Sequence, residues 1–419
     1  MKESNLLRAG AGRANIHFPQ EMFPTDGFCK VHDDPYIRVL ILESGIRFAI
    51  VEAELVVVAK PFVIEIKKTV SELTGVPGEN IWVHSTHVIT TPHAPGPKGP
   101  PSKRPPMSEE DKRKRVMFTD ALMEAVRQAA KAAAGTFQPT LLSVGTGQCD
   151  VNCSCRQQDV ERGLRAPSDG LGTTNKTMTI LKFQALTGEP IGFLLFYDVK
   201  PCVIDNSEMD KGTRQVSSDV PGKACAVVEE TFGVTALYCM GATGDQHPRE
   251  QTYYETADQN GNLTTVDLGV AHGLELVERY GTIMGEDAIA IINAMTDAQP
   301  VDAIVLTGDQ FQWPSKPDPN KPGPQEPEMS TIPVQAARIG DIALVGTSPE
   351  VNCATELQLQ QVSPFGRTLL ITMVNGPMKY MPDKTAFEQN TREAQRSFAQ
   401  EGAAERFVEV AAEMLRRLK

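Results

Sequence analysis

Phe48-Ala49-Ile50-Val51-Glu52-Ala53-Glu54-Leu55-Val56-Val57-Val58, followed by a run of helical spacing from Pro61 to Leu73 and then by Ile81-Trp82-Val83-His84, decides the fold class. The first stretch is rich in Val and Ile and reads as a strand. The second carries apolar residues at helical spacing and stops before Gly75. The third is a short buried strand, Ile81 to Val83, that ends at a histidine. Upstream, Tyr36 to Leu42 reads as another strand, joined to the first by a tight Ser44-Gly45 turn. Downstream the alternation continues: a helix from Glu109 to Ala134, strands at Leu141–Val144, Met178–Gln184 and Ile191–Tyr197, a helix after Pro221, a strand at Val234–Met240, and a helix over roughly Gly269–Ala294. Strand segments at Thr331–Val345 and Leu369–Val374 and an amphipathic helix from Thr391 to Leu418 complete the chain. This is the pattern of an α/β protein with a mixed sheet. Two segments dense in proline, Ala94–Ser108 and Trp313–Met329, read as loops. Because strands of the same kind follow the second, residues 1–419 are expected to form one domain.

The composition, 41% hydrophobic and 22% charged, is that of a globular protein able to bury its own core. A net charge of -12 speaks against a nucleic-acid partner, which needs clustered Lys and Arg. The one basic run, Lys103 to Arg115, is interrupted by acids and prolines and reads as a solvated loop entering a helix. Met1-Lys2-Glu3-Ser4-Asn5 lacks the apolar stretch of an export signal, and no stretch is long enough to span a membrane. A cytoplasmic protein with no membrane partner is the expectation, and a homo-oligomer is compatible with its size and acidity. The eight cysteines then read as reduced thiols, and Cys153 with Cys155 lacks the further ligands a thiolate metal site requires.

Seven histidines occur in the chain, and three of them, His84, His87 and His93, fall within ten residues at the end of a buried strand. Strand ends are where α/β proteins gather their sites. The Thr-Thr-Pro turn before His93 could return it towards His87, so that two imidazoles share a metal ion. Three further strand-end turns offer polar groups to the same rim. Gly241-Ala242-Thr243-Gly244-Asp245-Gln246-His247-Pro248 has amides that could form an anion-binding nest. Gly346-Thr347-Ser348-Pro349-Glu350 places a carboxylate at a strand end. Asn375-Gly376-Pro377-Met378-Lys379-Tyr380-Met381-Pro382 follows another apolar strand.

Taken in order, these segments resemble the catalytic domain of the neutral, non-lysosomal ceramidases over nearly the whole chain. Ala9-Gly10-Ala11-Gly12-Arg13-Ala14-Asn15-Ile16 is similar to that family's Gly-x-Gly-x-x-Asp-Ile opening, and Tyr36-Ile37-Arg38 to its Tyr-x-Arg strand. Ser85-Thr86-His87 and Pro92-His93-Ala94-Pro95-Gly96 resemble its paired-histidine motif, separated here by an apparent insertion of Val88 to Thr91. Asn152 with Arg156, Ser218-Asp219, Gly241-Ala242-Thr243-Gly244-Asp245, Pro349-Glu350 and Tyr380-Met381-Pro382 continue the likeness. The resemblance implies zinc ligation by His87, Glu350 and Tyr380, assistance to a substrate carbonyl by His93 and Arg156, and attack of a metal-bound water on an amide or ester.

The chain also departs from the family. Where the family has its later zinc histidine before a proline, this sequence has Lys200-Pro201, and where ceramidases have serine before the proline of the glycine turn, it has His247. A protonated lysine is no metal ligand. Either His247, His84 or His93 completes an altered zinc site, or the Lys200 ammonium stands in the place of the metal, as electrostatic catalyst or Schiff-base nucleophile. The expected activity is hydrolysis of a carbon–nitrogen bond in a small soluble amide or lactam, with an ester as the close variant. Ceramide itself is not expected, since the chain has no room for the additional C-terminal domain of ceramidases. The alternatives are a metal-independent lyase or isomerase using Lys200 and His247, and a binding protein that has kept the fold without the chemistry.

Overall fold

The computed structural model describes residues 6–96, 104–155, 172–204, 214–257, 263–317 and 328–419. Strand β1 (Arg8–Asn15) pairs antiparallel with β2 (Tyr36–Ser44), from Arg8 opposite Glu43 to Asn15 opposite Tyr36. The chain reverses at Gly45, whose φ of 77° suits glycine, and enters β3 (Ile46–Ala53). Helix α1 (Lys60–Thr74) carries Pro61 in its first turn and ends on Gly75, so β4 (Ile81–Ser85) returns parallel to β3. Helix α2 (Glu109–Gly135) is capped by Ser108 and has three acids in its first turn, which complement the helix dipole.

β5 (Gln138–Gln148), the short β6 (Asn152–Ser154), β7 (Thr177–Ala185), β8 (Pro190–Tyr197), α3 (Asp219–Phe232), β9 (Thr235–Met240), the short β10 (Gln246–Pro248) and α4 (Val270–Ala294) follow. The large mixed sheet has the order β9-β8-β7-β5-β1-β2-β3-β4. A second, four-stranded sheet is made by β11 (Ile304–Pro314), β12 (Met329–Ile339), β13 (Ile342–Thr347) and β15 (Arg367–Ile371), with β14 (Glu350–Val351) and α5 (Cys353–Val362) between the last two strands. β16 (Tyr380–Met381) and the C-terminal α6 (Ala403–Leu418) end the chain.

Alternation along the strands decides what each face meets. Ile37, Val39, Ile41, Ala49 and Val51 pack with α1 and α2. Leu40, Leu42, Phe48, Ile50 and Trp82 face the other way and meet Ile339, Leu344 and Ile371 of the second sheet. Phe407, Met414 and Leu415 of α6 cover that sheet's outer side. The layers run helix, sheet, sheet, helix.

Two elements differ from the sequence reading. The strand expected over Phe48–Val58 leaves the sheet after Ala53, because Glu54 turns its carboxylate to the Tyr36 amide at 2.7 Å and to the buried Arg38 guanidinium, and Leu55–Val58 become a loop. The strand segments expected over Thr331–Val345 are present as a hairpin of β12 and β13, reversed at Gly340 with φ 62°. The helix expected over Thr391–Leu418 breaks between Arg396 and Ala403, where Gln400 donates to the Pro314 carbonyl, Lys316 donates to that of Phe398, and Gly402 has φ 96°. No disulfide joins any of the eight cysteines. Among the described residues no helix is long and apolar enough to cross a membrane.

Candidate active site

His87 lies two residues past the end of β4, in a left-handed conformation with φ 59°. Its Nδ1 is 2.6 Å from the Val56 carbonyl oxygen. A carbonyl only accepts, so Nδ1 carries the proton, and the neutral ring presents its Nε2 lone pair on the opposite side. There Nε2 is 3.4 Å from Glu350 Oε1. Glu350 and Tyr380 are brought side by side by the parallel pairing of β14 with β16, in which they are direct partners. Lys200, three residues beyond β8, completes the group. Its Nζ is 2.6 Å from Glu350 Oε2 and donates to the Tyr380 hydroxyl at 2.9 Å.

Lys200 and Glu350 are each only 3% exposed. Burial by itself would lower the Lys200 pKa, but the charge of Glu350, reinforced by Tyr380, outweighs it and holds the side chain as an ammonium. Burial, with the Glu350 charge adding to it, pushes the Tyr380 phenol up to about 12, so Tyr380 keeps its proton. Burial also lowers the His87 pKa, against the pull of Glu350, and Lys200 lowers it further. Near neutral pH the group is therefore a neutral imidazole, a phenol and a lysine–carboxylate ion pair. The His87 side chain is 15% exposed and Tyr380 is half-buried, which leaves the group open on that side.

The remaining candidates have surroundings of their own. His84 is still within β4, fully buried, and neither ring nitrogen has a hydrogen-bond partner among the described residues; burial pushes its pKa down to about 4. His93 is half exposed, with Nδ1 2.7 Å from Asp26 Oδ2. His247 on β10 lies opposite Cys153 of β6, its Nδ1 3.3 Å from Gln251 Oε1. Arg156 falls outside the described residues. The Gly241 turn offers no open nest: Ala242 N donates to Asp198 Oδ1 at 2.8 Å and Gly244 N to the Val351 carbonyl at 2.8 Å. Its Gln246 carbonyl instead accepts from the Lys200 amide at 3.2 Å. Sequence reasoning missed two partners, the Val56 carbonyl that fixes the His87 tautomer and Asp26 that holds His93. Neither has a sequence signal, since 31 and 67 residues separate the pairs.

The three residues that the family resemblance names as zinc ligands do converge, but in this arrangement they do not fit a zinc ion. The Lys200 ammonium makes the contacts to Glu350 and Tyr380 that a shared cation would make, and a second cation at the same point would be repelled. Among the described residues no group of three or more His, Cys, Asp and Glu side chains could hold a metal, so neither His84, His93 nor His247 completes a set with His87 and Glu350.

Solved structures similar to this one include two ceramidases. A ceramidase complexed with C2 superposes with a TM-score of 0.73 at 13% identity, over 99% of this chain and 75% of the ceramidase chain. The neutral ceramidase from Pseudomonas aeruginosa gives 0.71 at 14% identity with the same coverage. No protein-family model and no curated protein sequence matches the chain. The molecule is an α/β protein with mixed sheets and a neutral ceramidase-like fold.

Proposed function

We propose that this protein hydrolyses a carbon–nitrogen bond in a small amide or lactam, with the Lys200 ammonium in the role that a metal ion has in the related enzymes. The ceramidase-like fold supports the reaction class. The observation that carries the rest is the ammonium held 2.6 Å from Glu350 and 2.9 Å from the Tyr380 hydroxyl, beside a histidine with a free Nε2 lone pair.

An ammonium has three N–H groups. Glu350 and Tyr380 engage two of them, which leaves one N–H for a substrate carbonyl, and the protonated Tyr380 hydroxyl is a second donor. Together they stabilise the oxyanion that forms when water attacks the carbonyl carbon. His87 Nε2 takes the proton from that water and returns it to the departing nitrogen, and Glu350 stabilises the imidazolium between the two steps. The products are a carboxylic acid and an amine. Because the ion pair keeps Lys200 protonated, it has no lone pair for imine formation, which disfavours the Schiff-base route.

A panel of amides, lactams and esters, with product amine or alcohol detected by mass spectrometry, tests this reading. Turnover of an amide or lactam should survive a chelator and fall by about a hundredfold or more in Lys200→Met and in His87→Ala. Turnover that a chelator abolishes and zinc restores, or that Lys200→Met leaves intact, would overturn it.

A further inference from the structure

A cavity of about 1050 Å³ lies between α1, α2 and the loop Leu55–Val58. Leu55, Val58, Phe62, Phe118 and Leu122 line it and are all buried, so its wall there is apolar. It reaches the His87 loop in two ways. Leu55, Val57 and Val58 flank Val56, whose carbonyl holds His87, and His93, six residues on from His87, lines the cavity.

Within this lining one half-buried cation has not been neutralised. Arg115 of α2 donates to the Pro95 carbonyl at 3.1 Å, and its guanidinium lies over the Phe62 ring at 5.5 Å. Among the described residues no carboxylate is within ion-pair distance of it. The neighbouring charged groups have partners of their own: Lys114 pairs with Glu110 at 2.7 Å, Asp26 with His93, and Asp111 accepts from the Ser108 hydroxyl at 2.8 Å. Binding a carboxylate at Arg115 would give the guanidinium fork the planar partner it lacks, with an apolar wall beside it for the rest of the molecule.

We infer that this cavity binds an amphipathic carboxylate, with the acid on Arg115 and a chain or ring against Phe62 and Phe118. On the hydrolase reading above, on which only this last step rests, the substrate is an amide that itself bears a carboxylate, in the manner of an N-acylated amino acid.

The test reads binding and needs no turnover, so it stands or falls apart from the hydrolase reading. Dansyl-aminoundecanoic acid and its methyl ester are titrated against the full chain and followed by dansyl fluorescence. The acid should bind at least about tenfold more tightly than the ester. Arg115→Gln should remove that preference while leaving ester binding unchanged, and Arg115→Lys should keep part of it. Equal binding of acid and ester by the unaltered protein, or no binding of either, overturns the inference. So does a preference for the acid that a folded Arg115→Gln protein retains. If Arg115→Gln does not fold, the acid-to-ester ratios of the unaltered protein and of Arg115→Lys decide, and unchanged affinities for both acid and ester in a folded Phe118→Ala protein would exclude the cavity wall.

Discussion

Replacing Lys200 by methionine should cost far more stability than a surface charge would, and the loss should be reversible by a second change. Met matches the aliphatic stem but removes the ammonium, leaving the Glu350 carboxylate 3% exposed and without its cation. Breaking a buried pair by deleting one partner costs about 3–5 kcal/mol, because the remaining charge is stranded in a poorly polarisable surrounding. For a chain of 419 residues that corresponds to a fall in melting temperature of about 3–6 °C. Urea unfolding followed by circular dichroism gives the free energy directly. The double variant Lys200→Met with Glu350→Gln removes the stranded charge and should recover about half of the loss or more. A loss below about 1 kcal/mol in the single variant, as for an exposed pair, would refute the reasoning. A double variant less stable than the single one would do the same.

His84→Leu should act differently at neutral pH, since it removes two buried nitrogens that have no hydrogen-bond partner among the described residues; stability should stay within about 1 kcal/mol of the parent or improve. The His84 pKa is depressed from 6.5 to about 4 in the folded chain, so the unfolded chain binds the extra proton first. The parent should therefore lose up to about 3 kcal/mol from this group as pH falls from 6.5 to 4, and His84→Leu should lose that much less in urea titrations at the two pH values. Because burial lowers the His87 pKa and the base must be neutral, kcat/KM for any amide turned over should be flat near neutral pH and fall only at a pH below 6.5. Gly12→Ala should lower stability by about 1–3 kcal/mol, since its Cβ would lie 2.3 Å from Ala133 N and 2.5 Å from Ala129 O, where β1 packs on α2; an unchanged urea midpoint would contradict that packing.

The alternation of strands and helices was legible because it follows from spacing alone. What spacing could not give is where a strand's hydrogen-bond ladder stops. Phe48 to Val58 is apolar but for Glu52 and Glu54, yet the ladder ends at Ala53, because Glu54 engages Tyr36 and Arg38. The break before α6 depends likewise on carbonyls and amides of Pro314, Lys316 and Phe398 far away in the chain. At the site, the order of short motifs pointed to His87, Glu350 and Tyr380, and the exchange of histidine for Lys200 was visible in the sequence. The count of three histidines misled, however. One stays in the interior of β4, one is turned by its left-handed backbone, and one is held outward by Asp26. That Nζ lies against Glu350 and Tyr380 is a matter of tertiary placement, which a residue at position 200 does not announce.

The most direct measurement is zinc content after saturation and exhaustive dialysis, for the untagged protein and for Lys200→His. If the ammonium takes the metal's place, the unaltered protein should retain less than about a tenth of an equivalent, while Lys200→His, which exchanges a cation for a neutral nitrogen donor beside His87, Glu350 and Tyr380, should retain close to one. One equivalent in the unaltered protein, lost on His87→Ala, would contradict the role given to Lys200.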